Sequence, residues 1–383
     1  MLAKQIISTL KPVFNLEINY LDSSKKIIPL DGLRGFAVLL VVFFHCFGFL
    51  RISYFGWMGV DLFFVLSGFL ISGILIDGKS DKLYYKNFFG KRFLRIFPLY
   101  YFALLIITIL SFVPFIKGID KINAPNIFYW IYLQNWQTTY FGEFSKENKL
   151  LSHFWSLAIE EQFYIFWPFI IKRFSKNKII SFIIVFIIFA VLLRIYFFTH
   201  DNIGYYVNTF SRFDALCIGS LLAILIRDKK EILERFALYI MFISGLFIVF
   251  HAIFSGPHFS HLLMASFGFT LVSLFWASIL IFAISGRVYL TKFFSYKFLT
   301  FFGKYSYGMY VYHAIIYILL SIPLTNFLNK FGNNTLIVDL ITSLILVLLS
   351  VIVSFFSFNL FEKHFIKYKK YFQNNNEIII QNK

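Results

Sequence analysis

The chain has 383 residues, 59% of them hydrophobic, 22% aromatic and only 14% charged, with a mean hydropathy of +0.74. Soluble domains carry about a quarter charged residues, so this composition excludes a soluble globular protein and points to an integral membrane chain. A formal charge of +17 suits nucleic acid only when gathered on one soluble face; here the cations are scattered through short loops, and no nucleic-acid partner is expected.

Residues 1–29 contain Lys4, Pro12, Glu17, Asp22, Lys25 and Lys26 without a clean apolar run and small-residue cleavage site, so they read as a cytoplasmic arm rather than a cleaved signal peptide. From there, stretches of about 20 mostly apolar residues, enough to cross a bilayer, recur at 30–50, 57–77, 98–116, 153–171, 179–198, 209–226, 237–254, 261–284, 307–328 and 337–361. The expected fold is all-α: a polytopic bundle of about ten transmembrane helices forming one domain over 30–362, with a basic tail at 363–383 that is disordered at its end. Segment 80–97 mixes cations with aromatics at helical spacing and reads as an interfacial helix. The segments 78–97, 172–178, 227–236 and 285–306 are basic, whereas 51–56, 199–208, 255–260 and 329–336 together carry only Arg51 and Lys330. The positive-inside rule therefore puts both termini in the cytoplasm. The longer outer connection 117–152, with FYWIYLQNW at 128–136, is expected to fold back on the membrane surface or into a cavity mouth. No internal repeat is visible. Cys46 and Cys217 lie in apolar runs and suggest neither a disulfide nor a metal set.

Ionisable residues inside spans are costly and mark functional sites by default. Here they are Asp31, Arg34 and His45 in the first span, Asp61 in the second, His153, Glu160 and Glu161 in the fourth, Arg212 and Asp214 in the sixth and His313 in the ninth. Arg34 and His45, eleven residues apart, emerge on nearly one face about 16 Å apart along a helix. Asp61, Glu160 and Glu161 lie near the level of His45, as a general base held by an acidic partner requires. Ordinary readings compete: Arg34 snorkels to headgroups, Asp61 bonds backbone or a tyrosine, Arg212 and Asp214 form a structural ion pair, and His313 packs between helices. Arg92 and Arg95, one turn apart, suit phosphate or simply anchor topology. No His/Cys/carboxylate cluster has metal-ligand spacing.

Six stretches in register, LDGLRGFAVLLVVFFH (30–45), GVDLFFVLSGFLI (59–71), KRFLRIFPLYY (91–101), HFWSLAIEEQFYIFWP (153–168), RFDALCIGSLLA (212–223) and GKYSYGMYVYHA (303–314), together resemble the acyltransferase family 3 membrane proteins, which O-acylate extracytoplasmic glycans. The resemblance implies acyl transfer, most often acetyl, from cytoplasmic acetyl-CoA or another acyl-CoA to a sugar hydroxyl of a lipid-linked or surface polysaccharide. Lipopolysaccharide O-antigen, capsule and exopolysaccharide are the acceptors in view. It implies donor contacts at Arg34, Arg92 and Arg95 and a base or nucleophile at His45, supported by Glu160, Glu161 or Asp61. Trp155, His153, Arg212 and Asp214 remain for the acceptor. It also implies a multi-pass protein of the bacterial cytoplasmic (inner) membrane, with no tightly bound cofactor and no metal, of the stand-alone class lacking a fused hydrolase-like domain. The alternative from the residues alone is a secondary transporter or glycolipid flippase whose buried charges couple ion movement to transport.

Overall fold

The computed structural model describes residues 27–112, 122–145, 149–228, 230–286, 288–332 and 334–372. Most of the arm and the last eleven residues of the tail, and the readings made of them, lie outside the described residues. Among those described there are helices and connections but no strand, which agrees with the expected all-α class. The longer elements are α1 (Ile28–Cys46), α2 (Met58–Asp77), α3 (Tyr84–Ser111), the short α4 (Ile127–Trp130) and α5 (Gln134–Phe141), then α6 (Trp155–Arg173) and α7 (Lys176–Thr199). After the one-turn α8 (Gly204–Val207) come α9 (Thr209–Leu225), α10 (Lys230–Phe254), α11 (Phe269–Ile284), α12 (Val288–Phe294), α13 (Lys297–Leu328), α14 (Thr335–Ser357) and α15 (Lys363–Ile366).

Nine helical segments among the described residues are long and apolar enough to cross a membrane, and the chain is a multi-pass membrane protein. The expected tenth, α6, has 19 residues but carries Glu160, Glu161 and Gln162, which lowers its hydropathy. It is buried along most of its length, and a helix that meets protein rather than lipid has no need of an apolar surface. The lipid-facing role falls to helices such as α7 and α10, which expose Ile184, Val185, Ile188 and Leu192, and Phe242, Ile243, Leu246 and Val249.

One expectation changes at α3. The segment read as a separate interfacial helix continues unbroken into the third span, with Pro98 inside a single 28-residue helix. At 1.5 Å per residue that is about 42 Å, longer than the ~30 Å hydrocarbon core, so the basic aromatic turns project beyond the bilayer while staying in line with the span.

Two close approaches set the centre. On α1 a Cβ at Gly35 would lie 1.9 Å from the Leu299 carbonyl oxygen, and on α13 one at Gly303 would lie 1.8 Å from that of Asp31. Only glycine lets these backbones meet, the small-residue packing that drives helix association where lipid removes the hydrophobic incentive. The contact lays the Arg34–His45 face of α1 alongside Ser306, Tyr310 and His313 of α13.

The connection rich in aromatics folds into the bundle mouth. Tyr100 Oη donates to the Tyr129 carbonyl at 2.7 Å, Gln134 Nε2 to that of Phe154 at 2.8 Å, and Gln162 Nε2 to Tyr132 O at 2.7 Å and Asn135 Oδ1 at 2.9 Å. These bonds replace the water that the buried loop backbone loses.

Candidate active site

Two cavities follow the α1 face. The first, about 90 Å³, is lined by Arg34, Arg92, Arg95, Glu160, Glu161, Tyr164, Ser67, Ser156, Ser306 and Tyr307, among others. The second, about 230 Å³, is lined by His45, His153, Trp57, Trp155, Tyr206, His258 and Phe259, among others. Val60 and Tyr310 line both, so the arginine cavity and the histidine cavity meet at this pair. Tyr310 is held there through its hydroxyl, which donates to the His153 carbonyl at 3.0 Å and shares a short contact with the Ser156 hydroxyl.

In the arginine cavity Arg92 and Arg95 stand one turn apart on α3, as their spacing required, and meet Arg34 across from α1. Asp31, in the first turn of α1, offsets part of the charge of Arg34, which also feels Arg95 and Arg92. Glu160 belongs to this end: it accepts from Ser67 Oγ at 3.0 Å and Tyr164 Oη at 2.9 Å. Glu161 is buried, and its Oε1 has no hydrogen-bond partner.

A hydrogen-bonded chain reaches His45 at the edge of the histidine cavity. His45 Nδ1 lies 3.0 Å from the Val41 carbonyl oxygen and 3.1 Å from His313 Nε2. His313 Nδ1 lies 2.9 Å from the Met309 and 2.8 Å from the Tyr310 carbonyl oxygen. A carbonyl oxygen can only accept, so His313 carries its hydrogen on Nδ1 and leaves Nε2 as an acceptor. His45 then donates from Nδ1, and the lone pair of its Nε2 stays bare, the form a general base needs. His153 lies on the other side of His313, the two ring centroids 5.2 Å apart against 5.0 Å for His45 and His313. Its Nε2 faces the Val311 carbonyl oxygen at 3.2 Å, while its buried Nδ1 has no partner. His258, in the connection after α10, is held below its ordinary pKa by burial and by His261.

The carboxylates expected at the level of His45 lie elsewhere. Glu160 and Glu161 line the arginine cavity, and Asp61 is fully buried with its Oδ1 2.6 Å from Arg212 Nη2. Glu160 bonds Ser67, six residues further along α2 than Asp61, so it lies nearer the arginine end than the count of turns expected. Arg212 and Asp214 do not pair with each other, because residues two apart on a helix point about 200° apart. Instead Arg212 crosses from α9 to Asp61 on α2, with its guanidinium 4.1 Å from the centre of the Phe269 ring. Asp214 takes Arg194 of α7 at 2.8 Å and Thr270 Oγ1 at 2.6 Å. Both pairs are fully buried braces between helices. Trp155 and His153 do line the histidine cavity. His313, for which the sequence left a site role and packing between helices both open, is the residue that meets His45; Ser306, Tyr310 and His313 follow an i, i+4, i+7 spacing on one face of α13. Among the described residues no group of three or more His, Cys, Asp or Glu could hold a metal ion.

Known proteins share this chain's pattern. The family described as "Acyltransferase domain" matches residues 27–358. O-acetyltransferase OatA of Staphylococcus aureus strain NCTC 8325 / PS 47 is 33% identical over 321 residues, which are 78% of this chain and 52% of the relative. The OatA of strain COL gives the same identity and coverage. The chain thus spans about half the length of these relatives. No solved structure matches it. A polytopic bundle with three arginines at one end of a helix face and a tautomer-fixed histidine at the other, covered by that family over most of its length, belongs to the acyltransferase domain family.

Proposed function

We propose that the chain is an O-acetyltransferase of the bacterial cytoplasmic membrane that moves an acetyl group from cytoplasmic acetyl-CoA to a sugar hydroxyl of a lipid-linked or cell-surface polysaccharide. The observation that carries the reading is the continuity of the two cavities through Val60 and Tyr310, with cations at one end and His45 at the other. The arginine cavity, at about 90 Å³, is far smaller than the ~300–1,000 Å³ of pockets that enclose whole ligands. A thin pantetheine arm fits such a passage; the nucleotide stays at its mouth, where Arg34, Arg92 and Arg95 meet the diphosphate in charge-assisted hydrogen bonds.

The acceptor hydroxyl enters the histidine cavity, whose aromatic walls Trp57, Trp155 and Tyr206 suit a sugar ring. As its oxygen attacks the thioester carbonyl, His45 Nε2 takes the hydroxyl proton. The imidazolium is held through Nδ1–H by Val41 and His313. Collapse of the tetrahedral species breaks the carbon–sulfur bond, and the proton on Nε2 passes to the departing thiolate, restoring neutral His45. His313 acts through His45 and is a positioning residue. Glu160 and Glu161 serve the donor end in this reading, moderating the field of three guanidiniums, while Asp61, Arg212 and Asp214 brace the helices.

The test is membranes carrying the chain, supplied with radiolabelled acetyl-CoA and assayed for alkali-labile label on extracted glycan. Label is expected with the wild type and absent with His45→Ala at equal membrane abundance. Retained transfer by His45→Ala ends the catalytic assignment, and transport without label transfer favours the transporter reading.

A further inference from the structure

We propose that the segment following α14, residues 362–372, completes the donor site and that Lys369 binds the terminal phosphomonoester of the donor's nucleotide. This rests on acyl-CoA being the donor. The segment turns back along α3 in the opposite direction. The Phe361 ring lies 4.7 Å from that of Phe102, and at the far end Phe372 sits on Gly90, where a Cβ would fall 2.2 Å from two of its ring carbons. Between these contacts α3 carries Arg95, Arg92 and Lys91. The segment is thereby pinned at both ends beside the mouth of the arginine cavity, where a sequence reading saw only a basic tail.

Lys369 is half-buried in this strap, and the charges that act on it most are those of Arg95, Arg92, Arg34 and Lys91. The acids of the region are Asp31 in the first turn of α1, Glu160 and Glu161 in the cavity, and Glu362 at the start of the strap, where it accepts from Ser357 Oγ at 3.0 Å and acts on Arg95; the charges that act most on Lys369 are all cations. Folding a half-buried ammonium onto three guanidiniums costs Coulomb energy that a polyanion returns on binding. The order of cations matches the order of phosphates in the donor. Arg34, Arg92 and Arg95 line the cavity, and Lys369 lies outside that lining, on the strap beside the Arg92–Arg95 stretch of α3. A pantetheine arm inside the cavity puts the diphosphate at the mouth and the 3′-phosphate of the ribose beyond it. Beside Lys369 the exposed rings of Tyr368 and Tyr371, with centroids 6.2 Å apart, present a face on which adenine can stack.

The experiment uses the full chain in nanodiscs of neutral lipid, with acetyl-CoA and acetyl-3′-dephospho-CoA as donors, for the wild type, Lys369→Met and Lys369→Arg. Lys369→Met is expected to raise KM for acetyl-CoA about tenfold at unchanged kcat and to leave KM for the dephospho donor as in the wild type, with Lys369→Arg close to wild type on both. An unchanged KM for acetyl-CoA overturns the proposal, as does an equal shift for both donors. An effect seen only when anionic lipid is added assigns Lys369 to headgroups and also overturns it. If the wild type uses neither donor, the acyl-CoA reading itself falls, an outcome separate from failure at Lys369.

Discussion

Replacing His313 by Leu tests whether the imidazole pair works as a unit. Leu fills similar volume inside α13 and removes the nitrogen that accepts from His45 Nδ1 at 3.1 Å, together with the Nδ1–H given to the Met309 and Tyr310 carbonyls of its own helix. Val41 O remains 3.0 Å from the same atom, so the tautomer and ring position of His45 survive in the ground state. What is lost is one of two acceptors for the imidazolium that forms as the hydroxyl proton is taken. A hydrogen bond to a charged group contributes about 1.5–3 kcal/mol, and 1.36 kcal/mol on a barrier is tenfold. The expected loss is therefore roughly 10- to 150-fold in kcat, with KM for acetyl-CoA unchanged because the arginine cavity is untouched. Initial-rate kinetics in nanodiscs, with donor varied at saturating acceptor, separate the two constants. An unchanged kcat refutes the role of His313 in supporting His45; a loss carried by KM alone shows that it shapes donor binding instead.

Arg92→Ala and Arg95→Ala are each expected to raise the donor KM by about tenfold through loss of a charge-assisted phosphate contact, read from initial rates against acetyl-CoA; unchanged donor dependence makes them topology anchors. Asp61→Asn leaves the fully buried guanidinium of Arg212 without its counter-charge, a cost of about 3–5 kcal/mol. It is expected to lower the melting temperature in detergent, with the double variant Asp61→Leu/Arg212→Met recovering most of the loss. If the single variant melts like the wild type, the pair is no brace. Gly303→Ala puts a methyl 1.8 Å from the Asp31 carbonyl oxygen and must push α1 off α13, an overpacking cost of about 1–3 kcal/mol. Activity is expected to fall further than stability, since the shift separates His45 from His313, and a fully active Gly303→Ala refutes the close contact.

The parts of this molecule that could be read from one sequence are those governed by local periodicity. Helix count came from apolar run length, and the shared face of Arg34 and His45 came from 3.6 residues per turn, because both are properties of a single helix. The partner of His45 is 268 positions away on α13, and no periodicity within α1 carries information about it. Counting turns from the span ends put Asp61, Glu160 and Glu161 near His45, yet Glu160 and Glu161 line the arginine cavity; where a helix starts, how it tilts and how it rotates decide which neighbour a side chain meets, and the bilayer leaves these free. The glycines resolve that rotation: Gly35 and Gly303 each face a carbonyl at under 2 Å from an added Cβ, and with those contacts made α1 and α13 have one relative orientation. In it Arg34 meets α3, His45 meets His313, and Asp61 is left to find Arg212. The same logic explains why α6 escaped a hydropathy criterion yet stands at the centre. A helix walled by protein can hold His153 just before its start and Glu160 two turns on, and so reach both cavities. Val60 and Tyr310 line both cavities, so in the proposed function the acyl group passes the tyrosine that Ser156 and the His153 carbonyl both hold.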